Sequence, residues 1–292
     1  MDDIDQVTTQ FIEPCIGVFD SGVGGLTVLR ELRRELPEVS LRYLADAAHA
    51  PYGQRSAAYI AERSERVAQH LIERGARLLV VACNTATAHA IAALRARWPA
   101  LAIVGTEPGI KPAVASSRNG RVGVLATPAT LASRRFADLL ERHAQHAQIV
   151  TQPCPGLVDL IEAGDLAAPA LRALVAELCA PLRRAGVDTV LMGCTHYPLV
   201  QHLLQAEFGP DVRLLNIETA VAQQAARLWA ALVPTPEAAT AGSARIELAS
   251  SGDPRRLEAF VRQALGWPDL RAEHWPDADA PVPRTPPAAA VG

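Results

Sequence analysis

Short apolar runs alternate with longer stretches of helical period along most of the chain. IGVF (16–19) reads as a strand, and Gly-rich SGVGG leads from it into LTVLRELRREL, a one-sided helical pattern. LRYLAD (41–46) reads as a second strand, RSAAYIAERSERVAQHLIERG as a long helix and RLLVVA (77–82) as a third strand. The helix AHAIAALRARW and the strand LAIVGT (101–106) follow. Strands separated by helices of this length form βαβ units, so the pattern predicts an α/β fold of doubly wound, mostly parallel sheets. Ligands of such folds gather beyond the carboxyl ends of the strands, where Asp20, Cys83 and Glu107 all fall.

The order then repeats. RVGVLA (121–126) precedes TPATLASRRFADLLERH as IGVF precedes DSGVGGLTVLREL, with Gly17 and Gly123 in register. Gly17 precedes Cys83 by 66 residues and Gly123 precedes Cys194 by 71. Cys83 precedes Glu107 by 24 residues, and Cys194 precedes Glu218 by the same 24. This spacing predicts an internal duplication, two α/β halves that each present one Cys from the end of an equivalent strand. The first domain is expected over 1–107 with 216–275 and the second over 108–215. Residues 276–292, rich in Pro and Ala and without periodicity, are expected to form a disordered tail.

Composition narrows the function classes. At 292 residues with 49% hydrophobic content the chain can bury a full core, and 28 basic against 31 acidic residues leave no electrostatic footprint for nucleic acid or an anionic membrane. The acidic, polar start is no targeting segment and no apolar run approaches membrane-spanning length, so the cytoplasm is the expected compartment. The five cysteines are odd in number, widely spaced and free of any CxxC pair, which argues against a disulfide framework and a structural zinc site; no metal is expected. Cys15, Cys154 and Cys179 read as packing residues.

If the two halves face each other across a cleft, Cys83 and Cys194 approach a ligand from opposite sides. Stereoinversion needs that arrangement: a Cα proton leaves one face of a near-planar carbanion and another arrives at the opposite face. A free thiol has a pKa of about 8.5, so little of it is thiolate at neutral pH. Each Cys is expected where a helix begins, and a helix N-terminus favours an anion by roughly 0.3–2 kcal/mol, up to about one pKa unit. Asp20 and His196 stand where they can orient or shuttle protons, although loop-closing hydrogen bonds explain them as well. Ser21, Asn84, Thr85, Thr127 and Thr195 sit in post-strand turns and make a cradle for a small zwitterion; ordinary N-capping explains them equally. SGVGG matches neither GxGxxG nor GxxxxGK[ST], so it argues against a nucleotide.

Six motifs carry a wider resemblance: GVFDSGVGGLTVL (17–29), PYGQRS (51–56), ACNTATA (82–88), EPGIKPA (107–113), CPGLVDLIE (154–162) and GCTHYPL (193–199). In this order and spacing the chain resembles the glutamate racemases, cofactor-independent amino-acid racemases of bacterial cell-wall synthesis, over about residues 15–267. The resemblance implies that Cys83 and Cys194 are the two proton donor/acceptors, that Asp20 and His196 assist them, and that Glu162 is an acidic helper. It implies glutamate contacts from Asp20, Ser21, Tyr52, Gly53, Asn84, Thr85, Thr195 and His196. It further implies two pseudo-symmetric domains with the site between them, no cofactor, and a homodimer. Some such racemases inhibit DNA gyrase, which makes a gyrase interaction a possible second role. Two stretches depart from the family pattern, YLADAAHA before PYG and LLNIETA (214–220), and both are expected to affect local loop structure and any effector response rather than the cysteines or the ligand contacts.

Other chemistries fit less well. An aspartate or hydantoin racemase would share the two-cysteine logic. A pyridoxal phosphate racemase needs a Schiff-base lysine, and the single lysine, Lys111, lies in EPGIKPA. A cysteine hydrolase pairing Cys83 with a histidine leaves Cys194 unexplained.

Overall fold

The computed structural model describes residues 13–233 and 244–276. The chain enters as β1 (Cys15–Asp20), turns through the Gly-rich loop into α1 (Leu26–Glu35) and returns as β2 (Leu41–Ala45). Two 3-10 turns, Ala47–His49 and Tyr52–Gln54, lead to α2 (Ala57–Glu73), β3 (Ala76–Val81), α3 (Asn84–Arg97) and β4 (Ala102–Gly105). After α4 (Ile110–Ser116) a second sheet is built from β5 (Arg121–Ala126), α5 (Pro128–Leu131), α6 (Arg134–His143) and β6 (Gln148–Pro153). It continues through α7 (Leu157–Glu162), α8 (Pro169–Arg184), β7 (Thr189–Met192), α9 (Gln201–Phe208) and β8 (Arg213–Leu215). Then α10 (Glu218–Leu232) goes back to the first sheet, which β9 (Ile246–Ser250), α11 (Pro254–Phe260) and β10 (Ala272–His274) complete.

The first sheet has the order β10-β9-β2-β1-β3-β4 and the second β6-β5-β7-β8, and every paired neighbour is parallel. The four strands β2-β1-β3-β4 therefore have the same order as β6-β5-β7-β8. Register makes the correspondence closer. Gly17 pairs with Leu79, four residues before Cys83, and Gly123 pairs with Val190, four residues before Cys194. The duplicated spacing in the sequence is a duplicated ladder in space.

Helices cover both faces of each sheet because the central strands are apolar on both sides, as buried parallel strands must be. On the first sheet, Ile16 and Val18 pack with Leu26, Leu29 and Leu32 of α1 and with Val221 and Ala225 of α10. On its other face Phe19, Leu79 and Val81 pack with Ile60, Val67 and Leu71 of α2 and Ile91 and Leu94 of α3. Each such side chain contributes roughly 1.5–3 kcal/mol by leaving water. Cys15 belongs to the second of these cores and Cys179 to a core on the second sheet, as expected, and all five cysteines are free thiols. Among the described residues no helix is long and apolar enough to cross a membrane, and no group of three or more His, Cys, Asp or Glu could hold a metal ion. Of the expected tail, 276–292, all but Pro276 lies outside the described residues.

Candidate active site

The carboxyl ends of β1 and β3 meet those of β5 and β7. Cys83, two residues beyond β3, caps α3: its Sγ accepts the Ala86 N–H at 3.5 Å. Cys194 occupies the equivalent place after β7 but does not start a helix, contrary to expectation. A bend and a 3-10 turn at Tyr197–Val200 intervene before α9 begins at Gln201. The cause is a tight closure in which the Tyr197 N–H donates to the Cys194 carbonyl at 3.1 Å. That closure brings the His196 ring to the thiol, with Nδ1 3.8 Å from Sγ. One thiol is served by helix N–H groups and the other by an imidazole.

Asp20 joins the two halves. Its Oδ1 accepts the Gly22 N–H at 2.7 Å and the Ser21 hydroxyl at 3.3 Å, and its Oδ2 accepts the Thr195 hydroxyl from the opposite half at 2.8 Å. The Ser21 hydroxyl also lies 3.8 Å from Cys83 Sγ. A path of contacts thus runs from Cys83 through Ser21 and Asp20 to Thr195, the residue after Cys194. Both thiols are nearly buried, at 5% and 6% exposure. Glu162, the last residue of α7, completes the wall: its Oε1 lies 2.6 Å from His196 Nε2 and accepts the Val23 N–H at 2.8 Å.

The Thr85 and Thr127 hydroxyls, expected to form part of a cradle, lie together and bond one another. Thr85 Oγ1 lies 2.9 Å from Thr127 Oγ1 and 3.3 Å from Thr130 Oγ1, so three hydroxyls from two halves share hydrogen bonds. Thr127 also caps α5 through the Thr130 N–H, as the capping alternative anticipated. Asn84 donates Nδ2 to the Thr106 carbonyl at 2.8 Å, leaving Oδ1 a buried acceptor without a partner among the described residues. Gly53 presses on Thr127, and a Cβ there would sit 2.9 Å from the threonine Cβ. The Tyr52 side chain is buried and gives its hydroxyl to Asp46 at 2.5 Å. Glu107 is drawn away from the site into an ion pair with Arg135.

Burial sets the electrostatics. It pushes the Cys83 thiol far up, helped by the Asp20 carboxylate, against the lowering effect of the Ala86 N–H and Ser21 hydroxyl. The lowered Cys83 pKa expected from the α3 N-terminus is therefore overturned, because desolvation of a thiolate outweighs one helix end. Asp20 is likewise raised by burial. For His196, burial works downward, but its hydrogen bonds to Cys194 and Glu162 win and hold it well above its ordinary value. Glu162 ends below its ordinary value because His196 and the Val23 N–H overcome its own burial. Both shifts favour the charged forms of the pair, imidazolium against carboxylate, with the imidazole ring against Cys194. Cys154, buried behind Cys194 and bonded to the Gln152 carbonyl, is pushed up to about 12 by desolvation and stays a packing thiol.

The sequence profile of Asp/Glu/Hydantoin racemases matches residues 16–225. A curated glutamate racemase of Pseudomonas aeruginosa (strain UCBPP-PA14) is 55% identical over 227 residues, 77% of this chain and 86% of that one. The chain belongs to the Asp/Glu/Hydantoin racemase family. Among solved racemases, the Escherichia coli glutamate racemase in complex with L-glutamate and the activator UDP-MurNAc-ala superposes with a TM-score of 0.77 at 32% identity, covering 90% of this chain and 97% of that one. The glutamate racemase of Francisella tularensis subsp. tularensis SCHU S4 in complex with D-glutamate gives 0.75 at 26% identity with the same coverage.

Asp20, Ser21, Cys83, Glu162, Cys194, Thr195 and His196 thus form one network of contacts and Gly53, Thr85 and Thr127 another, with Asn84 between Cys83 and Thr85 and Tyr52 bonded to Asp46, whereas Glu107 stands apart on Arg135. Sequence reasoning missed three residues beside them. Thr130 completes the hydroxyl trio, and its place three residues after a cap was the available signal. Thr27 donates to the Thr195 carbonyl at 3.2 Å. Asp46 holds Tyr52, a contact that no local pattern announces.

Proposed function

We propose that the protein is a cofactor-independent glutamate racemase that interconverts L- and D-glutamate and supplies the D-enantiomer for peptidoglycan. The observation that carries this reading is the pair of thiols delivered from equivalent strand ends on the two sides of Asp20. One thiolate takes the Cα proton and becomes a thiol. The planar carbanion then receives a proton from the other thiol, which becomes the thiolate, so protons and charge balance. His196, held by Glu162, presents a cationic donor to Cys194, and Asp20 orients Ser21 and Thr195 beside the two sulfurs. Glutamate binds through Asp20, Ser21, Tyr52, Gly53, Asn84, Thr85, Thr127, Thr195 and His196, one of its carboxylates meeting the N–H groups that open α3.

Of the described residues, 13–107 with 216–233 and 244–275 form one domain and 108–215 the other, and the chain works as a homodimer. Free thiols in the site suit a reducing cytoplasm. The glutamate complexes of the two solved relatives and the identity to curated glutamate racemases favour glutamate over aspartate or a hydantoin.

The test is wash-in of solvent deuterium at Cα from each glutamate enantiomer without added cofactor. The expected result is interconversion with one deuteron per turnover. Exchange of aspartate or hydantoins in place of glutamate would reassign the substrate, and no exchange of any of them would refute the enzymatic reading.

A pH dependence follows from the raised Cys83 pKa. The base is the thiolate, and below its pKa the thiolate fraction grows about tenfold per pH unit. In Cys194→Ala, where Cys83 acts alone, Cα exchange should therefore climb throughout the range pH 6–9 without a plateau, measured by proton NMR. A plateau near neutral pH would show that bound substrate relieves the burial.

A further inference from the structure

The stretch YLADAAHA departs from the family pattern around Asp46, and this carboxylate is one of the most heavily bonded groups in the protein. It is fully buried at the end of β2. Its Oδ2 accepts the Tyr52 hydroxyl at 2.5 Å and Arg63 Nε at 3.1 Å, and its Oδ1 accepts Arg63 Nη2 at 2.9 Å and the Ser251 hydroxyl at 2.8 Å. Its N–H donates to the Asp20 carbonyl at 2.9 Å. Ser251 is tied in from the end of β9, its N–H donating to the Ala45 carbonyl at 3.0 Å and its hydroxyl accepting the Ala48 N–H at 3.1 Å.

With its hydroxyl proton committed to Asp46, Tyr52 has only its main-chain N–H to donate to a ligand, and so has Gly53. The position of that short turn therefore sets where those N–H groups stand. On its far side the turn is packed against Thr127 of the other half, so it is clamped between Asp46 and the hydroxyl trio. We infer that Asp46 is a positioning residue for substrate binding: with Arg63 and Ser251 it holds the Tyr52–Gly53 turn so that its main-chain N–H groups receive a carboxylate of the substrate. None of the network's hydrogen bonds goes to either thiol, so its effect falls on binding rather than on proton transfer. The inference rests on the glutamate racemase reading and adds that strand β9, far from the site in sequence, takes part in substrate affinity through Ser251.

The test uses the full chain and the variants Tyr52→Phe, Ser251→Ala, their double, and Asp46→Asn. Tyr52→Phe removes one hydroxyl with no change of shape. It should raise KM about tenfold in both directions, with kcat within about threefold of wild type and the pH profile of kcat unmoved. Ser251→Ala should raise KM severalfold. The double variant should show less than the product of the two effects, because both act through one carboxylate. Asp46→Asn should give the largest KM, and if it fails to fold the two hydroxyl variants decide. A lower melting temperature with KM unchanged in Tyr52→Phe would overturn the inference and leave Asp46 a purely structural group. A wild type that does not racemise glutamate refutes the functional reading instead, so the two failures are distinguishable.

Discussion

Cys83→Ala and Cys194→Ala each lose racemisation by about a thousandfold or more, the range that separates a positioned acid/base from its absence. Both directions must fall together. The enantiomers have equal free energy, so kcat/KM for L- and D-glutamate are equal at every pH and in every variant, and racemisation rates cannot say which thiol serves which face. Deuterium exchange can. A variant that keeps one thiolate still removes and returns the proton on that face, so each variant exchanges Cα from one enantiomer only, and the two variants exchange opposite enantiomers. The measurement is proton NMR loss at Cα from each enantiomer in deuterium oxide. Exchange of both enantiomers by either single variant would defeat the two-face arrangement, because it would require one thiol to reach both sides. The surroundings of the two sulfurs add a quantitative asymmetry. Cys83, desolvated and beside Asp20, is a scarce but strong base, whereas Cys194 faces an imidazolium. At neutral pH the variant that retains Cys83 alone should therefore exchange slowly and gain rate as the pH rises.

Gly24→Ala should lower kcat/KM about a hundredfold while the protein stays folded. A Cβ at residue 24 would stand 2.6 Å from Cε1 and 2.8 Å from Cγ of His196. The ring has no room to retreat, since it is buried and its Nε2 is held by Glu162 at 2.6 Å. The methyl must therefore push the imidazole off Cys194 or push α1 away from the second half. A displacement of about 1 Å at a reacting group costs on the order of a hundredfold in rate, and overpacking of this kind costs about 1–3 kcal/mol in stability. Gly22 is confined in the same way, a Cβ there falling 2.7 Å from the Glu162 Cδ. Steady-state kinetics with a thermal melt checks the expectation. Wild-type turnover in a folded Gly24→Ala protein would mean that His196 has no role at its observed position.

The same glycines show where sequence reasoning stopped. SGVGG was legible as a tight turn after a strand and unconvincing as a phosphate loop. Its actual constraint comes from His196 and Glu162 of the other half, which lie against it. The order of strands and helices, the placement of both cysteines and the duplicated register were all readable, because hydrophobic period and strand-end position are local properties and a duplication repeats them. The helix N-terminus assigned to Cys194 was not readable, since one backbone hydrogen bond from Tyr197 decides between a helix and a tight turn.

The sequence by itself determined the α/β architecture, the family and the two thiols as a pair. Only the tertiary structure decided how those thiols are supported. Asp20 meets Thr195 across 175 residues, Val23 meets Glu162 across 139, and Ser251 reaches Asp46 across 205. Contacts at such separations depend on how two sheets are set against each other, which no local propensity encodes. Charge balance belongs to the same category: desolvation lifts Cys83 while hydrogen bonds raise His196, and both effects exist only once the chain has closed around the groups.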